Sequence, residues 1–150
     1  YMGAFDLNLF GAFKLMKLVL SNMQAQHWGR IINIASIYGR EYGGNVSYMS
    51  AKAALIATTK HAGVSFAKDG VLFNTIAPGS ISHAEGGWER FQSDNPPEVV
   101  EDFIKNNLPM GKFGWPEPVG DLVAFLASER ASLITGACIV VDGGQSYSLI

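Results

Sequence analysis

Apolar residues recur at helical spacing from Asp6 to Met23, through Leu7, Phe10, Leu15 and Leu18, with no proline among them. That period predicts an amphipathic helix. The pattern then tightens. Gly29-Arg-Ile-Ile-Asn-Ile34 is a short β-branched run opened by glycine, as expected of a buried parallel strand. Ser36 to Val46 is polar and glycine-rich, so a loop is expected there. Ser47 reads as the cap of a long helix that runs to about Lys68 and ends at Asp69-Gly70. Val71 to Ala77 is the next predicted strand, stopped by Pro78-Gly79. Residues 80–95 show no period and are expected to form a loop. Asn95-Pro96-Pro97-Glu98 opens a helix that runs to Asn107, and Pro116-Glu117 opens another through Asp121 to Leu126. Cys138 to Val141 is a last strand, closed by Asp142-Gly143-Gly144.

Strands that alternate with helices need crossover connections, which implies an α/β fold with a parallel sheet covered by helices. Three strands and their helices amount to the second half of a doubly wound dinucleotide fold, which is built from two such halves. No G-x-G-x-x-G cluster occurs in the chain. The nucleotide-binding half is therefore expected to lie outside it, and residues 1–150 to form a single domain portion.

Composition narrows the function classes. Of 150 residues, 48% are hydrophobic, enough for one core. A net charge of -2 gives no electrostatic reason to expect nucleic acid or an anionic membrane as a partner. No apolar run approaches the roughly 20 residues that span a bilayer. The residues from Tyr1 to Asp6 do not read as a secretion signal. The single cysteine, Cys138, forms no internal disulfide and fits a reducing, cytoplasmic setting. It sits in the apolar run Ala137 to Val141 and is expected to be packing rather than a nucleophile. No metal site is expected.

Tyr48 and Lys52 lie one helical turn apart and share a face. An ammonium beside a phenol favours the phenolate and moves a poor acid–base group toward its working range. Alone, the pair reads equally as a packed tyrosine beside a lysine whose stem lies along the surface. Ser36 ends the predicted strand at its carboxyl side, where ligands bind in open α/β sheets, though a serine there also reads as a turn or cap. Asn8 stands inside an apolar helix, where its side chain competes for backbone groups.

Together these blocks resemble the short-chain dehydrogenase/reductase family in order and spacing, with the 3-oxoacyl-acyl-carrier-protein reductases or a related member as the model. Asn8-Leu9-x-Gly11-x-Phe13, Ile32-Asn-Ile-Ala-Ser36 and Tyr48-Met-Ser-Ala-Lys52-Ala-Ala-Leu55 carry the resemblance. Asn74 to Gly79, Leu122 to Ser128, Ile134 to Gly136 and Val141 to Gly144 extend it over essentially the whole chain. The resemblance implies a Rossmann-type fold and hydride transfer between NAD or NADP and a small carbonyl or alcohol. It implies Tyr48 as general acid/base and Ser36 as the group that holds the substrate oxygen. Lys52 would tune the tyrosine and bind the nicotinamide ribose, and Asn8 would hold a water linking Lys52 to solvent. Pro78, Gly79 and Ile81 would border the nicotinamide.

Three positions depart from the family pattern. His83 stands where a cofactor-contacting threonine is frequent, Pro118 replaces a glutamate before the last long helix, and Leu72 replaces an arginine. Trp88, Phe91, Phe103 and Met110 are expected to wall a substrate pocket suited to a ketone or 3-oxoacyl group, with Trp88 touching substrate. The helix at 47–68 is apolar on nearly every side and, paired with the helix at 6–23, predicts a homodimer or homotetramer. Leu9, Phe13, Met16 and Val19 would supply the first helix's share. The rival reading is a catalytically silent subunit that only binds and oligomerises.

Overall fold

The computed structural model describes residues 2–149. Its sheet has three parallel strands in the order β1 (Gly29–Ile34), β2 (Val71–Pro78), β3 (Cys138–Val141), with Gly29 level with Val71 and Thr75 level with Cys138. β2 lies in the middle, and burial along it is nearly continuous from Val71 to Ala77, which explains why its sequence lacks polar alternation. Its two polar interior residues are placed differently. Asn74 donates to Ile134 O at 2.7 Å and accepts from Ala137 N at 3.1 Å, lashing the approach to β3 onto the central strand. The buried Thr75 hydroxyl has no hydrogen-bond partner among the described residues.

Each face of the sheet has its own core. On one face, Val71 and Phe73 meet Met16 and Ala62 from α2 (Gly11–Ala25) and α3 (Val46–Ser65). On the other, Ile76 meets Leu126 of α6 (Pro116–Ala127) and Ala131. The result is a three-layer α/β/α arrangement, as the alternating pattern predicts. α3 crosses very close to the strand below it. A Cβ on Gly63 would fall 2.6 Å from Gly136 N, so the helix can sit there only because the side chain is absent.

Three boundaries differ from the sequence expectation. The first helix is not uniform: α1 (Met2–Phe5) passes through a π turn at Asp6–Phe10 before α2 begins, with Gly11 N–H bonding to Asp6 O. The cap of α3 is Asn45 rather than Ser47. Its Oδ1 accepts from Tyr48 N at 2.9 Å and from the Ser47 hydroxyl at 2.8 Å, so Ser47 supports the cap from inside the helix. α3 closes at Ser65, and a 3₁₀ turn at Ala67–Asp69 leads to Gly70 in the left-handed region.

The largest difference lies in residues 80–95, where a helix, α4 (Gly87–Asp94), replaces the expected loop. It has no side-chain cap and holds through tertiary contacts. Trp88 and Phe91 pack against Phe103 of α5 (Pro97–Asn107) and against Phe113.

Candidate active site

The carboxyl ends of β1 and β2 open into a cleft of about 640 Å3. Ser36 enters it just past β1, Tyr48 and Lys52 from the first turns of α3, and Pro78, Gly79 and Ile81 from the end of β2 and the turn after it. Trp88 closes one side from α4. Seven of the sequence-derived site residues therefore share one wall system.

Each side chain is held by local chemistry. Ser36 is buried, and its Oγ accepts from Tyr38 N at 3.2 Å as the cap of the 3₁₀ turn Ile37–Gly39. A hydroxyl that accepts one bond still has its own proton to donate. Lys52 Nζ donates to Ile34 O at 2.9 Å, at the end of β1, and lies 5.6 Å from the centre of the Tyr48 ring. Burial holds the Lys52 ammonium below its usual range. Gly79 N donates to Val141 O at 3.1 Å. Next to it, the buried Ser80 and Gln145 exchange two bonds, Ser80 N to Gln145 Oε1 at 2.8 Å and Gln145 Nε2 to Ser80 Oγ at 2.9 Å. The turn after β2 is thus pinned to the chain after β3, a support that sequence spacing did not reveal.

Asn8 stands apart from this group. It lies on the π turn, donates to Ala4 O at 3.0 Å and does not line the cleft, although the π turn packs against α3. Its side-chain amide is satisfied by the carbonyl one turn back, which accounts for a polar residue inside the helix.

The expected apolar walls are only partly placed as anticipated. Trp88 reaches the cleft, while Phe91 and Phe103 stack around it, with ring centroids 5.6 and 4.9 Å away. Met110 is a correction: it borders a separate pocket of about 180 Å3 with Phe113 and Lys112.

His83 lines the cleft, with Nδ1 3.0 Å from Ala84 O. Leu72 is buried in β2, and Pro118 lies in the first turn of α6, where a missing N–H costs nothing. Cys138 is half-buried in β3, and burial pushes its thiol up, away from the reactive thiolate.

A parallel sheet covered by helices, with ligand-facing groups beyond the carboxyl ends of its strands, is a Rossmann-type α/β architecture. Within that class, residues 1–146 match the family model described as enoyl-(acyl carrier protein) reductase, and the chain belongs to the short-chain dehydrogenase/reductase family. It is 40% identical over 140 residues to the 3-oxoacyl-[acyl-carrier-protein] reductase FabG of Aquifex aeolicus, covering 93% of this chain and 54% of the relative. A 3-oxoacyl (acyl-carrier-protein) reductase of Agrobacterium tumefaciens C58, solved with NADP bound, superposes with a TM-score of 0.82 at 33% identity, covering 92% of this chain and 53% of that one. A 4-hydroxyisoleucine dehydrogenase mutant, complexed with NADH and succinate, gives 0.86 at 32% identity, with 96% and 58% covered. The chain spans about half the length of these relatives.

Proposed function

We propose that this chain is the catalytic and C-terminal half of an NAD(P)-dependent oxidoreductase acting on a carbonyl or secondary alcohol. The convergence of Ser36, Tyr48 and Lys52 on one cleft carries the reading. The rest of the nucleotide site would come from residues outside this chain. Two facts support that division: the chain spans about half of its relatives, and among the described residues β1 has a strand partner on one side only, with Ile34 42% exposed.

The residues fit the nicotinamide-ribose end of such a cofactor. Among the described residues, the cleft is lined by apolar walls at Ile34, Pro78, Ile81 and Val119, by one ammonium and by no carboxylate. Relatives solved with NADP or NADH bound support the same choice. When bound, the nicotinamide supplies or accepts the hydride.

The chain's own residues handle the proton and the developing charge. In reduction, the Tyr48 hydroxyl gives its proton to the substrate oxygen as that oxygen becomes an alkoxide; in oxidation it takes the proton back. Ser36, with its hydroxyl proton free, donates to the same oxygen and stabilises its charge. Lys52 uses one donor on Ile34 O and keeps two for the ribose hydroxyls. Its ammonium also attracts the charge left on the Tyr48 oxygen after proton transfer. Asn8, on the π turn against α3, would hold the water through which Lys52 exchanges protons with solvent. Pro78, Gly79 and Ile81 shape the nicotinamide side, and Trp88 faces the substrate.

We also infer a homo-oligomer joined through α2 and α3. Leu15 and Leu18 of α2 are 65% and 78% exposed and Val64 of α3 is 68% exposed, an apolar surface with no cover. Met16 is withdrawn from the expected contact set, because it is 7% exposed inside its own core.

Tyr48→Phe in the full-length protein tests the reading. Turnover should fall by on the order of 10² to 10⁴, the usual share of a positioned acid–base group, while cofactor affinity by fluorescence titration stays nearly unchanged. Near wild-type turnover would contradict the assignment, and inactivity of the unmodified protein on every carbonyl would favour the silent subunit.

A further inference from the structure

Beyond the partition formed by Ser36, Tyr48, Gly79 and Trp88, the cleft continues into a second chamber of about 230 Å3. The two spaces differ in chemistry. Lys52 and His83 border only the larger one. The smaller is walled by Ile37 and Tyr38, with Gly44, Asn45 and Ser80, and none of its lining residues carries a charge. A charged substrate group enclosed there would lose its water and find no counter-ion.

Tyr38 is built into this chamber. A Cβ on Gly43 would fall 2.1 Å from the Tyr38 ring, so the loop closes over that ring only because residue 43 has no side chain. The Tyr38 N–H bond to Ser36 Oγ couples its position to the neighbouring hydroxyl. Burial, then the Glu41 carboxylate and Tyr48, push the Tyr38 phenol above its usual range, so it stays neutral. Trp88 is equally fixed, with the rings of Phe91, Phe103 and Phe113 5.6, 4.9 and 5.3 Å away. Two aromatic walls, each packed against its neighbours, favour a flat or cyclic apolar body. For scale, an apolar cavity of about 150 Å3 accepts benzene. A chamber of about 230 Å3 therefore has room for a six-membered ring with a few added atoms, whereas an acyl chain with its thioester arm would have to extend out of it.

We propose that the substrate is a compact, uncharged cyclic or aryl ketone, or the matching secondary alcohol, and that Tyr38 sets this preference. The inference rests on the oxidoreductase reading above. Its test is a substrate panel on the full-length protein with NADPH and NADH: 4-methylcyclohexanone and acetophenone against pyruvate and the acetoacetyl thioester of N-acetylcysteamine. The neutral ring ketones should exceed pyruvate and the thioester in kcat/KM by about 10²-fold or more. Tyr38→Ala should narrow the gap to the thioester by roughly 10-fold, and Tyr38→Val carries the same test if the alanine variant does not fold. Preference of the wild-type protein for the thioester or for pyruvate would overturn the inference, as would an unchanged ratio in a folded variant. In both cases turnover itself would leave the oxidoreductase reading standing. No turnover of any carbonyl, with cofactor bound, would sink that reading and this inference with it.

Discussion

Lys52 places an ammonium in a half-buried position and answers it with a backbone carbonyl. Burial lowers its pKa from 10.5, so the folded state binds that proton less tightly than the unfolded chain does. The resulting penalty is present in full below the folded pKa and is relieved as pH rises toward 10.5. Lys52→Met is thus expected to raise the melting temperature at neutral pH, and the difference from wild type should shrink as pH climbs. The same change should cost turnover on the order of 10² or more and weaken cofactor binding. Melts across pH, read beside kinetics, check both signs; a variant less stable at neutral pH would contradict the first. Ser36 shows what the sequence could and could not resolve at this scale. Its two readings, cap and substrate contact, were alternatives on paper. In the fold its oxygen caps the 3₁₀ turn while its proton remains free to donate in the cleft, so one does not exclude the other.

The long periodic elements were legible because their stripes match what the sheet buries: Met16 of α2, and Ala51, Leu55, Thr59 and Ala62 of α3. α4 was not. Gly87-Trp-Glu-Arg-Phe-Gln-Ser-Asp94 opens on glycine without a cap, and what holds it is an aromatic cluster with Phe103 and Phe113, remote in sequence. The π turn escaped for a similar reason, since nothing in Asp6-Leu-Asn-Leu-Phe10 specifies an extra residue per turn beyond the oddity of Asn8. Gly63 is a third case. Helix propensity favours alanine there, yet the backbone of Gly136 leaves no room for a Cβ. Gly63→Ala should therefore destabilise by roughly 1–3 kcal/mol, as overpacking does, visible as a lower denaturant midpoint. A stabilised variant would show that α3 lies farther from the sheet.

At the scale of the molecule, both the free side of β1 and the outer faces of α2 and α3 are surfaces that a larger assembly would cover. Ala53 and Ala57 are exposed one turn apart on α3 and would let a second helix approach closely. Sedimentation of the full-length protein should give a dimer or tetramer, and Ala53→Glu with Ala57→Glu should dissociate it; a monomer at micromolar concentration would contradict the proposed interface. No helix among the described residues is long and apolar enough to cross a membrane. We propose hydride transfer at the cleft bordered by Ser36, Tyr48 and Lys52. Its most direct test supplies the full-length protein with a ketone and with reduced cofactor deuterated at the transferring carbon of the nicotinamide. Deuterium is expected on the carbinol carbon of the product, from one face of the nicotinamide only, with the rate of transfer lowered by on the order of 10² to 10⁴ in Tyr48→Phe. Product without deuterium, from cofactor labelled on either face, or transfer undiminished in that variant, would contradict it.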